Sequence, residues 1–125
     1  MAMPAPSRYG EFWPHYVAAH RRTGTRLLHF GGTSAGLALM LIAVTTGPLW
    51  LLAPAPIAGY GLAWLSHALI ERNRPATFRH PLWSLMGDVH MYALMWAGRM
   101  DREIARLDLE GKLPFDLDSI ELDNW

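Results

Sequence analysis

Two long uncharged stretches dominate the pattern of hydrophobic and polar positions. Residues 27–46 (LLHFGGTSAGLALMLIAVTT) contain no charge in 20 positions, which as a helix is about 30 Å and matches a bilayer core. After an apolar turn with three prolines, a second helix is predicted from Pro54–Pro56 to about Arg72, because Pro75 disfavours helical geometry just before it. We therefore predict a membrane-spanning helical hairpin. The alternative is a buried core helix of a soluble protein, which so small a chain has few elements to cover.

The segment before the hairpin predicts a short amphipathic helix that begins at about Tyr9. Trp13, Tyr16, Val17 and His20 follow at spacings of three and four, so they share one helix face. An aromatic face followed by arginines is typical of a helix that lies in a membrane interface. A soluble amphipathic helix is the alternative for this segment.

A third apolar helix is predicted to open at Pro81. Its apolar part, residues 82–98, is interrupted by Asp88 and His90 and is marginal in length for a span. It either crosses the bilayer or lies against the hairpin. The predicted fold is thus an all-α membrane bundle: a lead-in over residues 1–8 expected to be disordered, a membrane-embedded helical domain over 9–106 and an acidic tail over 107–125.

Charge is segregated although the net charge is zero. Up to Leu82 there are seven Lys or Arg against two Asp or Glu, and beyond it four against nine. Both open ends of the hairpin carry arginines and the connecting loop carries no charge, which predicts that both ends face the cytoplasm, as in a bacterial inner-membrane protein. The few arginines form no stripe, so nucleic acid is not an expected partner. The absence of cysteine excludes thiolate catalysis and zinc–thiolate sites.

Three histidines are predicted to converge at the cytoplasmic end of the hairpin. His29 lies three residues after Arg26, and His67 lies five residues before Arg72. Because the two helices run antiparallel, both imidazoles lie within about 4–8 Å of the same surface. His20 ends the preceding helix at that surface. A single histidine at such a position is more often structural than a metal ligand, but three histidines at one depth form a candidate metal site.

Two carboxylates lie near enough to join the histidines. Glu71 follows His67 by four residues, the spacing of a paired metal clamp on one helix face. Asp88 lies inside an apolar run, where a carboxylate needs a partner. Either one is a candidate ligand or a group that orients a ligand. Imidazoles and a carboxylate without sulfur suit Fe(II), Mn or Zn and resemble the ligands of non-haem iron oxygenases.

The same residues resemble a known family. The segments HYVAAH (15–20), LHFGGT (28–33) and YGLAWLSHALIERNRPATFRHPLWSLMGD (60–88) resemble the small membrane 2-hydroxy fatty acid dioxygenases, known from fungal phytosphingosine breakdown and from bacterial relatives. The resemblance covers about residues 9–99, and its second half is the more specific. One departure is the turn after His20: relatives usually carry Asn-Pro there, whereas this chain continues with Arg21 and Arg22.

The resemblance implies an Fe(II)-dependent dioxygenase of fatty acid α-oxidation, which converts a 2-hydroxy fatty acid and dioxygen to the acid one carbon shorter. The metal ligands would be His20, His29, His67 and Glu71, with Glu71 or Asp88 as the catalytic carboxylate. Trp64, Arg72 and Arg74 would bind the substrate, the arginines by charge-assisted hydrogen bonds to its carboxylate. The alternatives are a non-catalytic membrane scaffold with structural histidines and a metal-dependent lipid hydroxylase or hydrolase.

Overall fold

The computed structural model describes residues 5–113, which contain helices and no strand. The all-α prediction is therefore confirmed for this part of the chain. Five helices follow one another, connected by short 3₁₀ segments at Leu49–Leu52 and Ala76–Phe78: α1 (Tyr9–Ala18), α2 (Thr23–Thr46), α3 (Pro54–Ser66, extended by a π-helical turn at His67–Glu71), α4 (Pro81–Trp96) and α5 (Met100–Leu109).

Helices α2 and α3 form the predicted hairpin. Gly47 ends α2 in the left-handed conformation at φ 95°, and α3 restarts at Pro54 after the 3₁₀ segment. The two helices approach closely at glycines: a Cβ added to Gly32 or Gly36 would lie 2.9 Å from the carbonyl oxygen of Gly59 or Ala55, respectively. Backbone contact of this kind needs small residues at the interface.

Both arms of the hairpin are long and apolar enough to cross a membrane. Thr23–Thr46 and Leu49–Glu71 have mean hydropathies of 1.8 and 1.3. Only 22% and 17% of these windows are buried by the rest of the chain, whereas a core helix of a soluble protein is covered on most sides. Large apolar side chains such as Val44, Trp50 and Ile57 are 66–72% exposed. The chain itself therefore leaves most of the hairpin uncovered.

Helix α1 packs under α4 and α5 and supplies the main hydrophobic core. The face predicted from spacing is the buried one, and Tyr16 and Val17 are at most 1% exposed. The sequence left open a helix in the membrane interface and a soluble amphipathic helix, and the apolar face of α1 is covered by protein. The core residues are Phe12, Trp13, Tyr16, Val17, Met91, Met100, Ile104 and Leu107.

The described helices begin and end near the predicted limits of the helical domain. Helix α1 begins at Tyr9 as predicted, but Ser7 donates two hydrogen bonds of 2.9 Å to the Glu11 carboxylate. The end of the predicted lead-in is thus tied to α1. Helix α5 ends at Leu109, three residues past the predicted domain limit at 106, and Leu107 belongs to the hydrophobic core. Residues 1–4 of the lead-in and 114–125 of the acidic tail lie outside the described residues.

Helix α4, the third predicted apolar helix, lies beside both α1 and α2. Its Tyr92 hydroxyl is 2.9 Å from the Ser34 hydroxyl of α2, and the Tyr92 ring packs on Phe30 at 4.9 Å. At 16 residues it is about 24 Å long, shorter than either arm of the hairpin. Its position brings Asp88 to the end of the hairpin where the histidines lie.

Candidate metal centre

The structure brings His20, His29 and His67 together, as the depth argument predicted. They come from the turn after α1, from α2 and from the end of α3, and are 1%, 5% and 2% exposed. The His20 Nε2 atom lies 3.1 Å from Nε2 of His29 and 3.1 Å from Nε2 of His67. Ligand atoms of the three lie within 4.8 Å of one another, so the group could hold a metal ion.

The opposite ring nitrogen of each histidine faces a hydrogen-bond acceptor. Nδ1 of His20 lies 2.6 Å from the Tyr16 carbonyl oxygen, and Nδ1 of His29 lies 2.9 Å from that of Thr25. A carbonyl oxygen can only accept, so these Nδ1 atoms carry the proton. The unprotonated Nε2 lone pairs of His20 and His29 therefore point at each other.

Asn73 supplies the hydrogen-bond acceptor that faces Nδ1 of His67. Its amide Nδ2 donates to the Ala19 carbonyl oxygen at 3.0 Å, which leaves Oδ1 facing Nδ1 of His67 at 2.6 Å. The amide orientation follows from the network, so Nδ1 of His67 also donates. All three Nε2 atoms are thus free of hydrogen and turned inward, the arrangement in which outer hydrogen bonds orient metal-bound imidazoles.

Three converging lone pairs call for a cation between them. Burial lowers the pKa of His20 well below its ordinary value, and His29 and His67 lower it further. The His20 imidazole is therefore neutral and does not itself supply a positive charge. For nitrogen ligands at about 2.1 Å from a metal, right-angle coordination separates the nitrogens by about 3.0 Å. The two observed spacings, 3.1 Å from Nε2 of His20 to Nε2 of His29 and 3.1 Å to Nε2 of His67, fit neighbouring nitrogen ligands of one metal ion.

Glu71 lies outside this group. Its carboxylate accepts a hydrogen bond of 2.6 Å from the Arg22 backbone N–H and pairs with the Arg21 guanidinium at 3.7 Å. The reason is the π-helical turn at His67–Glu71: backbone bonds there close over five residues instead of four, so the i, i+4 spacing loses its α-helical geometry. Glu71 instead anchors the turn that joins His20 to α2.

Asp88, predicted as catalytic, reaches the centre from α4. It lines a small cavity in front of the histidines, of about 10 Å³, which is about the space of one water molecule. The Tyr16 hydroxyl donates to Asp88 Oδ1 at 2.5 Å, and the Tyr16 ring stacks on His20 at 4.0 Å. Asp88 lies outside both candidate spans, and burial raises the pKa of its carboxyl to about 6. It is thus a carboxylate that can exchange a proton near neutral pH.

The predicted substrate-binding residues divide into two groups. Trp64 lines the cavity and packs against Tyr60 and Phe78 at 5.8 and 5.3 Å between ring centroids. Arg72 and Arg74 are exposed and do not line it. Arg72 ends the π-helical turn in the left-handed conformation, and the Arg74 guanidinium lies 5.8 Å from the centre of the Phe78 ring. Contact of the arginines with a substrate carboxylate stays a prediction.

Sequence reasoning missed Tyr16 and Asn73 as supporting residues. Tyr16 precedes His20 by four residues, a spacing that already placed the two rings on one helix face. Asn73 carried no periodic signal, because it reaches His67 only after the π-helical turn and the left-handed Arg72 turn the chain back. The cavity also exposes the hydroxyl-bearing residues Tyr60, Thr77 and Ser84 to the centre.

Replacing Asn73 by alanine is expected to weaken metal binding about 10- to 100-fold, because Nδ1 of His67 loses its acceptor. Asn73→Asp keeps an acceptor oxygen and is expected to restore most of the affinity. Competition between the protein and a chromophoric chelator for Zn²⁺ measures both. Equal affinities of wild type and Asn73→Ala would show that this hydrogen bond does not orient a ligand.

Comparison with protein families gives a match that includes all three histidines. The family model described as "2-hydroxy-palmitic acid dioxygenase Mpo1-like" matches residues 7–100, from just before α1 to the start of α5. Searches among curated proteins and among solved structures returned no match. The histidines, Trp64 and Asp88 all lie within the matched range. By a match over three quarters of its length, the chain belongs to the Mpo1-like family.

Proposed function

We propose that this protein is an Fe(II)-dependent dioxygenase that converts a 2-hydroxy fatty acid to the fatty acid one carbon shorter. The carrying observation is the buried set of three neutral imidazoles with converging Nε2 atoms, in a family described as acting on 2-hydroxy-palmitic acid. The balanced reaction is RCH(OH)COOH + O₂ → RCOOH + CO₂ + H₂O. Carbon 1 leaves as carbon dioxide, carbon 2 becomes the new carboxyl carbon, and dioxygen is the oxidant.

Three imidazole ligands without sulfur suit ferrous iron. When bound, Fe(II) supplies the open positions and the redox chemistry that dioxygen activation needs. His20, His29 and His67 would hold it, and their Nδ1 hydrogen bonds keep the three rings in position. The cavity in front of the histidines has space for about one water molecule, so it would have to widen to admit the carboxylate and 2-hydroxyl oxygens of the substrate.

Asp88 is the proton acceptor in this proposal. Its carboxylate lines the same cavity as the three imidazoles, and the Tyr16 hydroxyl holds Oδ1 in place. The free oxygen takes the proton of the substrate's 2-hydroxyl as the carbon 1–carbon 2 bond breaks. Trp64 covers the cavity beside Tyr60 and excludes water. Glu71 supports the turn carrying His20 and has no catalytic part.

The proposal places the hairpin in a bilayer with the metal centre at its cytoplasmic end. Two largely uncovered apolar helices support this placement, together with arginines on both sides of the open end and none in the connecting loop. A lipid-soluble substrate then reaches the centre without leaving the membrane. Cytoplasmic access allows the shortened acid to pass to soluble enzymes.

The test is dioxygen consumption by protein purified in mild detergent and loaded anaerobically with Fe(II). We expect about one iron per chain by elemental analysis, uptake of dioxygen with a long-chain 2-hydroxy acid, and the acid one carbon shorter by mass spectrometry. The same acid without the 2-hydroxyl is the control and is expected to be inert. Loaded protein that consumes no dioxygen contradicts the proposal. Turnover with zinc in the absence of dioxygen would identify a hydrolase instead.

A further inference from the structure

A groove of about 250 Å³ runs along the hairpin between α2, α3 and α4. It shares four lining residues with the cavity at the metal centre, namely His29, Tyr60, Ala63 and Asp88. The groove and the cavity therefore adjoin at these four residues. The groove has no role in the reaction steps proposed above.

Polarity changes along this groove. The end shared with the metal centre carries an imidazole, a phenol and a carboxyl group. The other lining residues are mostly apolar, and among them Leu37, Met40 and Val89 are 49%, 47% and 59% exposed. A binding surface with one polar end and a long apolar remainder matches an amphiphile with a single tail.

The floor of the groove is closed. Helices α2 and α3 touch at Gly36, where a Cβ would lie 2.9 Å from the Ala55 carbonyl oxygen. An occupant cannot pass between the two helices and must lie along them. The groove thus suits one unbranched chain rather than a wide or ring-containing group.

We infer that this groove binds the acyl chain of the substrate and that Leu37 and Met40 set the longest chain bound well. This inference rests on the proposed function for the chemistry of the polar end. From His29 to Met40 is 11 residues of helix, about 16 Å, which an extended chain covers with about 13 carbons at about 1.25 Å each. Leu37, eight residues after His29, corresponds to about 9 or 10 carbons.

Two tryptophan variants at different depths test the inference. Leu37→Trp and Met40→Trp place a large ring in the groove, and Leu41→Trp is the matched control. Leu41 lies on the same helix, is 62% exposed and does not line the groove. Binding is measured with saturated fatty acids of about 8 to about 16 carbons that lack the 2-hydroxyl, competing for a fluorescent fatty acid on metal-free protein in nanodiscs. Turnover of the matching 2-hydroxy acids is measured in parallel.

For wild type and Leu41→Trp we expect affinity to rise with each methylene up to about 15 carbons in total. Leu37→Trp is expected to bind the longest acid at least tenfold more weakly while the shortest acid binds normally, and Met40→Trp is expected to shift the limit less. Length profiles that are identical in all four proteins, or a wild type without length dependence, overturn the inference.

The two readouts separate the inference from the proposed function. Fatty-acid binding with the expected shifts but without any turnover leaves the groove assigned and rejects the dioxygenase. Turnover with an unchanged length profile in both groove variants supports the dioxygenase and rejects the groove assignment. If Leu37→Trp fails to fold by circular dichroism, Met40→Trp against Leu41→Trp decides alone.

Discussion

Replacing His67 by alanine is expected to abolish metal binding and dioxygen-dependent turnover together. The ring supplies one of three converging Nε2 atoms, 3.1 Å from that of His20, and two imidazoles cannot enclose the ion in the same way. Wild-type protein is expected to gain thermal stability with added metal, by about 4 kcal/mol at a concentration a thousandfold above Kd. The variant should gain little. Elemental analysis and thermal unfolding with and without metal measure the loss.

His15→Ala is the matched control for this experiment. The His15 ring is hydrogen-bonded to the Glu11 carbonyl oxygen of its own helix and takes no part in the histidine group. We expect its metal content and turnover to equal those of the wild type. Full turnover by His67→Ala would show that the reaction occurs elsewhere. Metal loss in both variants would instead indicate general damage to the fold.

Replacing Asp88 by asparagine is expected to lower kcat/KM for the 2-hydroxy acid by about 10²- to 10⁴-fold, the usual contribution of a positioned general base. Asparagine has nearly the same shape and its oxygen can still accept from the Tyr16 hydroxyl, but it cannot take a proton. Because burial raises the pKa of the Asp88 carboxyl to about 6, wild-type kcat/KM should fall as pH drops through about 6. That acidic limb should be absent in the variant.

Iron content distinguishes the roles open to Asp88. A proton acceptor leaves iron binding unchanged in Asp88→Asn, whereas loss of iron would make Asp88 a ligand. Asp101→Asn serves as control, since Asp101 is a partly buried acid of α5 with one buried oxygen lacking a hydrogen-bond partner. It should retain full activity. Normal turnover by Asp88→Asn would remove this residue from the mechanism.

The positions of the three histidines along the helices could be predicted from residue numbers, but the orientation of their rings could not. Helical rise is regular, so the distance of His29 and His67 from the arginines at the hairpin end could be read from residue numbers. Antiparallel pairing then placed both at one level. The same arithmetic could not say which ring nitrogen faces inward, since that depends on acceptors at Tyr16, Thr25 and Asn73.

Glu71 shows where such counting fails. A spacing of four predicts a shared face only while the helix stays α-helical, and the chain changes to a π-helical turn at His67. The carboxylate then meets the turn formed by Arg21 and Arg22, a contact across 49 positions of sequence. Long-range pairing of this kind leaves no periodic trace in either segment.

The sequence by itself determined the helices, the hairpin and the end at which the histidines gather, because hydrophobic periodicity, proline positions and charge-free length are local properties of the chain. Only the tertiary structure decided that three Nε2 atoms converge, that Glu71 supports a turn, and that Asp88 reaches the centre from α4 through Tyr16. Those outcomes depend on which side chains meet when helices pack, and packing is set by contacts between residues far apart in sequence.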